Sequence, residues 1–324
     1  MTQKGKTTDG LMRHIRDNNH ISIGGSKEKK ELLEMGYYHG YKAYRFLRTV
    51  SNPFSITSFE RIKSIYDFDT ELKAALYSSV MQLEMVLKNY TIAIIVSNND
   101  PDLDTVFKLC LNRYKEYDVG SRKYRDEVRQ NLLLKQTFDS VIARNYVDKV
   151  VIQHYVHNNK PVPLWAIFEL ITLGDYGNFL LRLNTNTRLE LEEKIGIKDL
   201  SIDTDGSMLP RHVFIIKELR NAIAHNSIIF DCRFKKIGIR KTITEQLKRN
   251  VGIDSVTFNT IVDYLLLIVY YEKSLGESDT KMHLLIDNVR KIIKDFEISS
   301  DKHTFDRILG TNVYNKLNKI DEYI

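Results

Sequence analysis

Arg220, Asn221 and His225 stand in a segment, Leu209 to Asn226, whose other positions are mostly apolar. These three residue types at this spacing could cut RNA without a metal ion. An imidazole can take the proton from a ribose 2′-hydroxyl or return one to the leaving 5′-oxygen. A guanidinium can hold the scissile phosphate through paired hydrogen bonds and stabilise the charge that develops on it. An Asn amide can orient either partner. One such segment offers one imidazole, whereas an acid–base pair needs two, so the chemistry implies a symmetric homodimer in which two copies face each other.

A helix must position the trio. Val213, Ile216, Leu219 and Ile223 recur at three- and four-residue steps, as a buried helical stripe does. Pro210 suits the first turn. Asn221 and His225 are four apart and share a face. Arg220 lies about 140° round the helix from His225, so only its length lets it reach the same spot. Ala222 and Ala224 permit close approach of another helix. Arg and His at such spacing are by themselves a weak signal, and a hydrogen-bonded structural trio is the alternative.

Two further stretches are candidates for gripping RNA. Arg233, Lys235, Lys236, Arg240, Lys241, Lys248 and Arg249 follow the motif with only Glu245 as a nearby acid. A basic strip beside a phosphate site suits a nucleic-acid backbone, and a solvated loop is the other reading. Between Tyr37 and Leu47, Tyr41 and Tyr44 interleave with Lys42 and Arg45. Such rings and cations could stack bases and hold phosphates, although helical spacing of Tyr37, Tyr41, Tyr44 and Arg48 favours packing for most of the rings.

The 324 residues, 43% hydrophobic and 28% charged with a net charge of +6, are those of a globular protein with ample length for a core. Only five prolines and long runs without turn signals predict an all-α fold. Cys110 and Cys232 are too few for a disulfide framework or a zinc site and read as free thiols of a reducing cytosol. His154 and His157 have metal-ligand spacing but no third ligand, so neither a metal nor a cofactor is expected. The first residues lack a secretory apolar region, and the longest apolar run, Tyr264 to Tyr271, is far short of a membrane span. A cytoplasmic location and no membrane partner follow as expectations.

Along the chain, helices are predicted over 27–35 and from Ser58 through Ile65, with Asp67 or Asp69 capping or kinking into a second helix over 71–96. The acids Asp67, Asp69 and Glu71 are assigned to that helix start, where the macrodipole attracts them. A long pattern from Arg122 to about Asn158 follows, then a linker at Pro161–Pro163. Beyond it lies a buried helix in which Glu169 is a lone acid needing a partner. The apolar helix over 257–275 is placed beneath the motif, and 279–298 is amphipathic.

The string Glu218-Leu219-Arg220-Asn221-Ala222-Ile223-Ala224-His225-Asn226 resembles the R-N-x-x-x-H motif of HEPN ribonuclease domains. The stretches 37–47 (YYHGYKAYRFL), 65–72 (IYDFDTEL) and 162–174 (VPLWAIFELITLG) resemble, in the same order, the Abi-like abortive-infection family, the AbiD/AbiF group of phage-resistance proteins. Ile228 departs from the pattern, because relatives carry an Arg three residues after the motif His; any second basic contact would come from elsewhere, such as Arg233.

This resemblance implies an N-terminal helical region, 1–160, bracing a HEPN-like helical domain, 161–324, the two packing as one unit. It further implies phage defence by a homodimeric, metal-independent endoribonuclease that leaves 2′,3′-cyclic phosphate and 5′-hydroxyl ends. In that enzyme Arg220 would bind the phosphate, Asn221 would position, and His225 would act as acid or base. RNA-guided type VI CRISPR effectors use HEPN pairs similarly, which adds a bound non-coding RNA as a regulator. The alternative is a non-catalytic RNA-binding module with a structural HEPN core.

Overall fold

No proline or glycine interrupts the chain between Phe59 and Asn98, and it forms one helix of 40 residues, about 60 Å long at 1.5 Å per residue. A computed structural model describes residues 5–236 and 238–324. Among these residues the regular structure is all-α: sixteen α-helices, a π-helical turn at Tyr37–Tyr41 and a 3-10 turn at Arg113–Glu116, with isolated β-bridges only.

The unbroken central helix corrects the expectation of two helices meeting at Asp67 or Asp69. The i,i+4 pairs Lys63–Asp67, Lys73–Asp69 and Lys88–Glu84 stitch its length. The acids Asp67, Asp69 and Glu71 therefore lie well inside the helix, and the macrodipole does not account for them. Asp69 is wholly buried, which requires partners.

Phe59, Ile62, Ile65, Phe68, Leu72 and Leu76 begin a buried stripe along the central helix. It packs against helices Asp279–Ser299, Met208–Ala224, Thr185–Ile195 and Ile261–Ser274. One hydrophobic core runs from Met12 to Ile320, so residues on both sides of position 160 share it. Over its most apolar window the central helix has a mean hydropathy of 1.2, enough by length and composition to cross a membrane. Here it is the axis around which the other helices pack.

The motif helix spans Met208–Ala224, with Val213, Ile216, Leu219 and Ile223 all buried as the spacing predicts. Its start is fixed by two acids: Asp203 Oδ2 accepts from the Met208 amide, and Glu192 Oε1 accepts from the Leu209 amide at 3.0 Å. Both sit at the positive end of the helix dipole. Helix Leu173–Arg182 lies so close that a Cβ on Gly177 would come within 2.9 Å of the Phe214 ring. Helix Ile261–Ser274 also packs on the motif helix and is buried on every side from Ile261 to Glu272.

Two other expectations change. The pattern over 122–158 divides into helices Arg122–Asn145 and Val150–His157. Glu169 is exposed, because its helix is the short Leu164–Phe168 and the acid falls at the outer C-terminal edge. Cys110 and Cys232 are both buried free thiols.

Candidate functional site

His225 ends the motif helix, and the turn after it sets the direction of its ring. The Asn226 amide bonds to Ile223 O at 3.1 Å and the Ser227 amide to Ala222 O at 2.7 Å. This is the paired closure of a Schellman motif, which needs a left-handed residue. Asn226 supplies it at φ 50°, a conformation Asn tolerates better than most side chains. The closure is locked from outside by Lys73, whose Nζ donates to Asn226 Oδ1 at 2.7 Å. His225 is left exposed, and its ring has no hydrogen bond among the described residues.

Lys73 is in turn held by Asp69, at 3.0 Å. The same carboxylate accepts from Tyr44 Oη and from the amides of Ile229 and Phe230, each at 2.7 Å. Asp69 thus ties the central helix to the tyrosine segment and to the chain leaving the motif. Burial first, and then the Asp69 charge, push the Tyr44 hydroxyl far above its ordinary range, so it stays a donor.

Arg220 takes a different direction. Its Nε donates to Glu84 Oε2 at 2.7 Å, while Glu84 Oε1 accepts from Lys88 at 2.9 Å. One Nη of Arg220 reaches Asn221 Oδ1 at 3.4 Å. Glu84, Lys73 and Asp69 meet Arg220, Asn226 and residues 229–230 in reverse order, so the central and motif helices run antiparallel here.

Asn221 and His225 line a cleft of about 770 Å³; Arg220 does not, and reaches it only through the Asn221 amide. Lys217 and Lys236 also line the cleft and have no carboxylate partner among the described residues. Lys217 Nζ lies 5.5 Å from the centre of the Phe214 ring. Lys236 is anchored by its backbone amide, which donates to Glu218 at 3.0 Å. Lys73 and Arg233 contribute two more cations to the lining, each already neutralised, by Asp69 and Asp231.

The tyrosine segment supplies another part of the lining. Tyr41 is fully buried and Tyr44 is 2% exposed, so these two rings pack in the core as their helical spacing favours. Tyr38 is the exposed aromatic, 68% accessible, and lines the cleft beside His39. Lys42 Nζ lies 5.2 Å from the Tyr38 ring centre, and the Arg45 guanidinium 5.5 Å from that of Tyr41.

The basic strip is spread out by the fold. Arg233 donates to Asp231 and to the carbonyls of Ala43 and Phe46, pinning the tyrosine segment to the chain after the motif. Lys235 donates to Asn259 Oδ1 at 2.6 Å. Arg240 and Lys241 are exposed at the start of helix Lys241–Val251 and do not line the cleft. Lys248 pairs with Glu245, and Arg249 with Asp199, a partner invisible in the local sequence.

Sequence reasoning missed His39, Lys73, Lys217 and Asp69 as parts of this site. The only local signal was Gly40 next to His39, within a run otherwise dense in tyrosine. No cluster of three His, Cys, Asp or Glu side chains placed to hold a metal occurs among the described residues.

Residues 30–231 match the family model described as Abi-like protein, a span that includes the π-helical turn, the central helix and the motif. No curated protein matches the chain. No solved structure matches it.

Proposed function

The chain belongs to the Abi-like protein family, whose role is abortive-infection defence, and on that premise we propose that it is a metal-independent endoribonuclease. The observation that carries this reading is the convergence on one cleft of His225 and Asn221 with Lys217 and Lys236, neither of which has a carboxylate partner among the described residues. In the proposed reaction a 2′-oxygen attacks the adjacent phosphorus and the bond to the 5′-oxygen breaks. His225 moves one of the two protons, and the ammonium groups stabilise charge on the phosphoryl oxygens. The products are a 2′,3′-cyclic phosphate and a 5′-hydroxyl.

Asn221 would orient the ribose or the imidazole, with Arg220 holding the Asn221 amide. A homodimer that faces two motif helices, a cytoplasmic setting and restraint by a bound non-coding RNA belong to the same proposal. A nuclease active on the cell's own transcripts must be held off until infection.

The second reading, an RNA-binding module with a structural HEPN-like core, draws support from the Arg220–Glu84 pair, which occupies the guanidinium that catalysis would use on phosphate. Incubating RNA-free wild type and an Arg220→Ala, His225→Ala double variant with mixed RNA in EDTA separates the two. Cleavage by wild type alone, with cyclic-phosphate ends, supports the nuclease. Gel shifts by both proteins without cleavage, even with phage lysate added, support the binding module.

A further inference from the structure

One imidazole is half of an acid–base pair, and the cleft contains a second one from the same chain. His39 lines the same cleft as His225, and so do the carboxylates Glu34 and Glu218. His39 is exposed, and its ring makes no hydrogen bond among the described residues. It is also held there by a specific backbone arrangement. The Tyr41 amide bonds to Gly36 O at 3.0 Å, closing a π-helical turn directly after helix Gly25–Met35. A Cβ on Gly40 would fall 2.3 Å from Met35 O, so only glycine fits the turn. The buried Tyr41 and Tyr44 anchor it below. A π insertion shifts the register of the side chains around it, and such insertions recur at functional sites. Here the result is an outward imidazole beside an outward ring, Tyr38, at 5.8 Å between centroids.

We propose that His39 and His225 are the two proton-transfer groups of one cleft, so that a single chain carries the complete acid–base pair for cutting RNA. The inference rests on the ribonuclease reading above and replaces the second copy as the source of the second imidazole. One ring is neutral and takes the 2′-hydroxyl proton as the 2′-oxygen bonds to phosphorus. The other is protonated and delivers its proton to the departing 5′-oxygen. Lys217 and Lys236 hold the phosphoryl oxygens between them, and Tyr38 offers an exposed face on which a base of single-stranded RNA can stack. Proton count is conserved, with the two imidazoles exchanging protonation state, and solvent resets them afterwards.

The test is the rate of cleavage of a fluorescent oligoribonucleotide in EDTA, from pH 4.5 to 9.5, by wild type, His39→Gln, His225→Gln and an equimolar mixture of the two variants. His39 is exposed, so His39→Gln should keep the far-UV spectrum and Tm of wild type. Each variant is expected to lose about 10²–10⁴-fold in rate, to bind the oligonucleotide within about threefold of wild type, and to lose one limb of a bell-shaped pH profile. The mixture should stay inactive, since every cleft then lacks one imidazole. Wild-type rate and an intact bell in His39→Gln, with His225→Gln inactive, overturns the role of His39 and leaves the ribonuclease reading standing. Activity restored on mixing overturns the single-chain pair in favour of one shared between copies. Cleavage by wild type and His225→Gln alike overturns the role of His225 and this inference with it, and cleavage by neither, even with phage lysate added, overturns the ribonuclease reading as well.

Discussion

Replacing Asp69 by Ala tests whether one buried carboxylate organises the site. The side chain is fully buried and accepts four donors: Tyr44 Oη, the amides of Ile229 and Phe230, and Lys73 Nζ at 3.0 Å. Alanine leaves three neutral donors without an acceptor, each a loss of about 1–3 kcal/mol where water cannot enter. It also leaves the Lys73 ammonium, whose side chain is 10% exposed, without its counter-ion. Because the groups share one small space the losses do not add, and the expected total is about 3–5 kcal/mol, the range for breaking a buried ion pair. That is a large part of the roughly 5–15 kcal/mol that holds a typical domain folded.

Asp69→Asn keeps the shape and one oxygen for the two amides but turns an NH₂ toward Lys73, so about 2 kcal/mol is expected. Tyr44→Phe removes one donor to a carboxylate that retains three, for about 1.5 kcal/mol. Guanidinium unfolding followed by far-UV circular dichroism, read as a midpoint shift at constant slope, gives these values. A loss below about 1 kcal/mol in Asp69→Ala would refute the assignment of Asp69 as the buried hub. The loss should also reach the site: in Asp69→Asn, measured where it remains folded, the turn carrying His225 loosens and the amides of Ile229 and Phe230 should exchange with solvent faster than in wild type.

Three further outcomes follow from the geometry. Gly40→Ala forces the Met35 carbonyl and the π-helical turn apart, at a cost of about 2–3 kcal/mol, and should slow cleavage by displacing His39; an unchanged Tm and rate would contradict the close approach seen there. Glu84→Gln weakens the hold on both Arg220 and Lys88, with an expected loss of about 1–2 kcal/mol and weaker positioning of Asn221, read as a fall in kcat without a matching change in RNA affinity. The pH dependence of stability is set partly by two buried groups of opposite sign, His212 within the motif helix and Glu192 at its start. Burial, and then the Arg211 charge, push His212 down to about 3, so its contribution is lost as pH falls below the ordinary imidazole value. Burial pushes Glu192 up to about 8, against the Leu209 amide and with the Asp203 charge, so its contribution is present at low pH and lost as pH rises toward 8. The two slopes oppose each other between about pH 4.5 and 6.5, and only the Glu192 slope, at most ~1.4 kcal/mol per unit, continues above. Glu192→Gln should abolish the decline in stability between pH 6.5 and 8, and His212→Gln should extend that decline down to about pH 4.5; parallel curves for all three proteins would exclude both assignments.

The sequence by itself determined the all-α class, the motif helix and the shared face of Asn221 and His225. It could do so because helical hydrogen bonds join residues four apart, and burial imprints that period on the chain. Val213, Ile216, Leu219 and Ile223 carried the imprint, and the turn residue Asn226 ends it. Family membership was legible for a related reason, since the quoted stretches lie in order within, or at the edge of, the matched span 30–231. What only the tertiary structure decided are the pairings across long chain separations. Asp69 meets residues 229 and 230, 160 and 161 positions away. Glu84 takes Arg220, 136 positions away, and so draws it from the cleft that Asn221 and His225 line. From the local pattern alone Asp69 looked like a helix-start acid, and Tyr41 and Tyr44 were candidates for base stacking whose helical spacing already favoured packing. A local pattern marks the buried face of a helix, but it cannot specify which distant residue packs or pairs against each position. His39 shows the same limit most clearly, because it shares a cleft with His225 only once the π-helical turn and the motif helix, 186 positions apart at these two residues, are brought together by the fold.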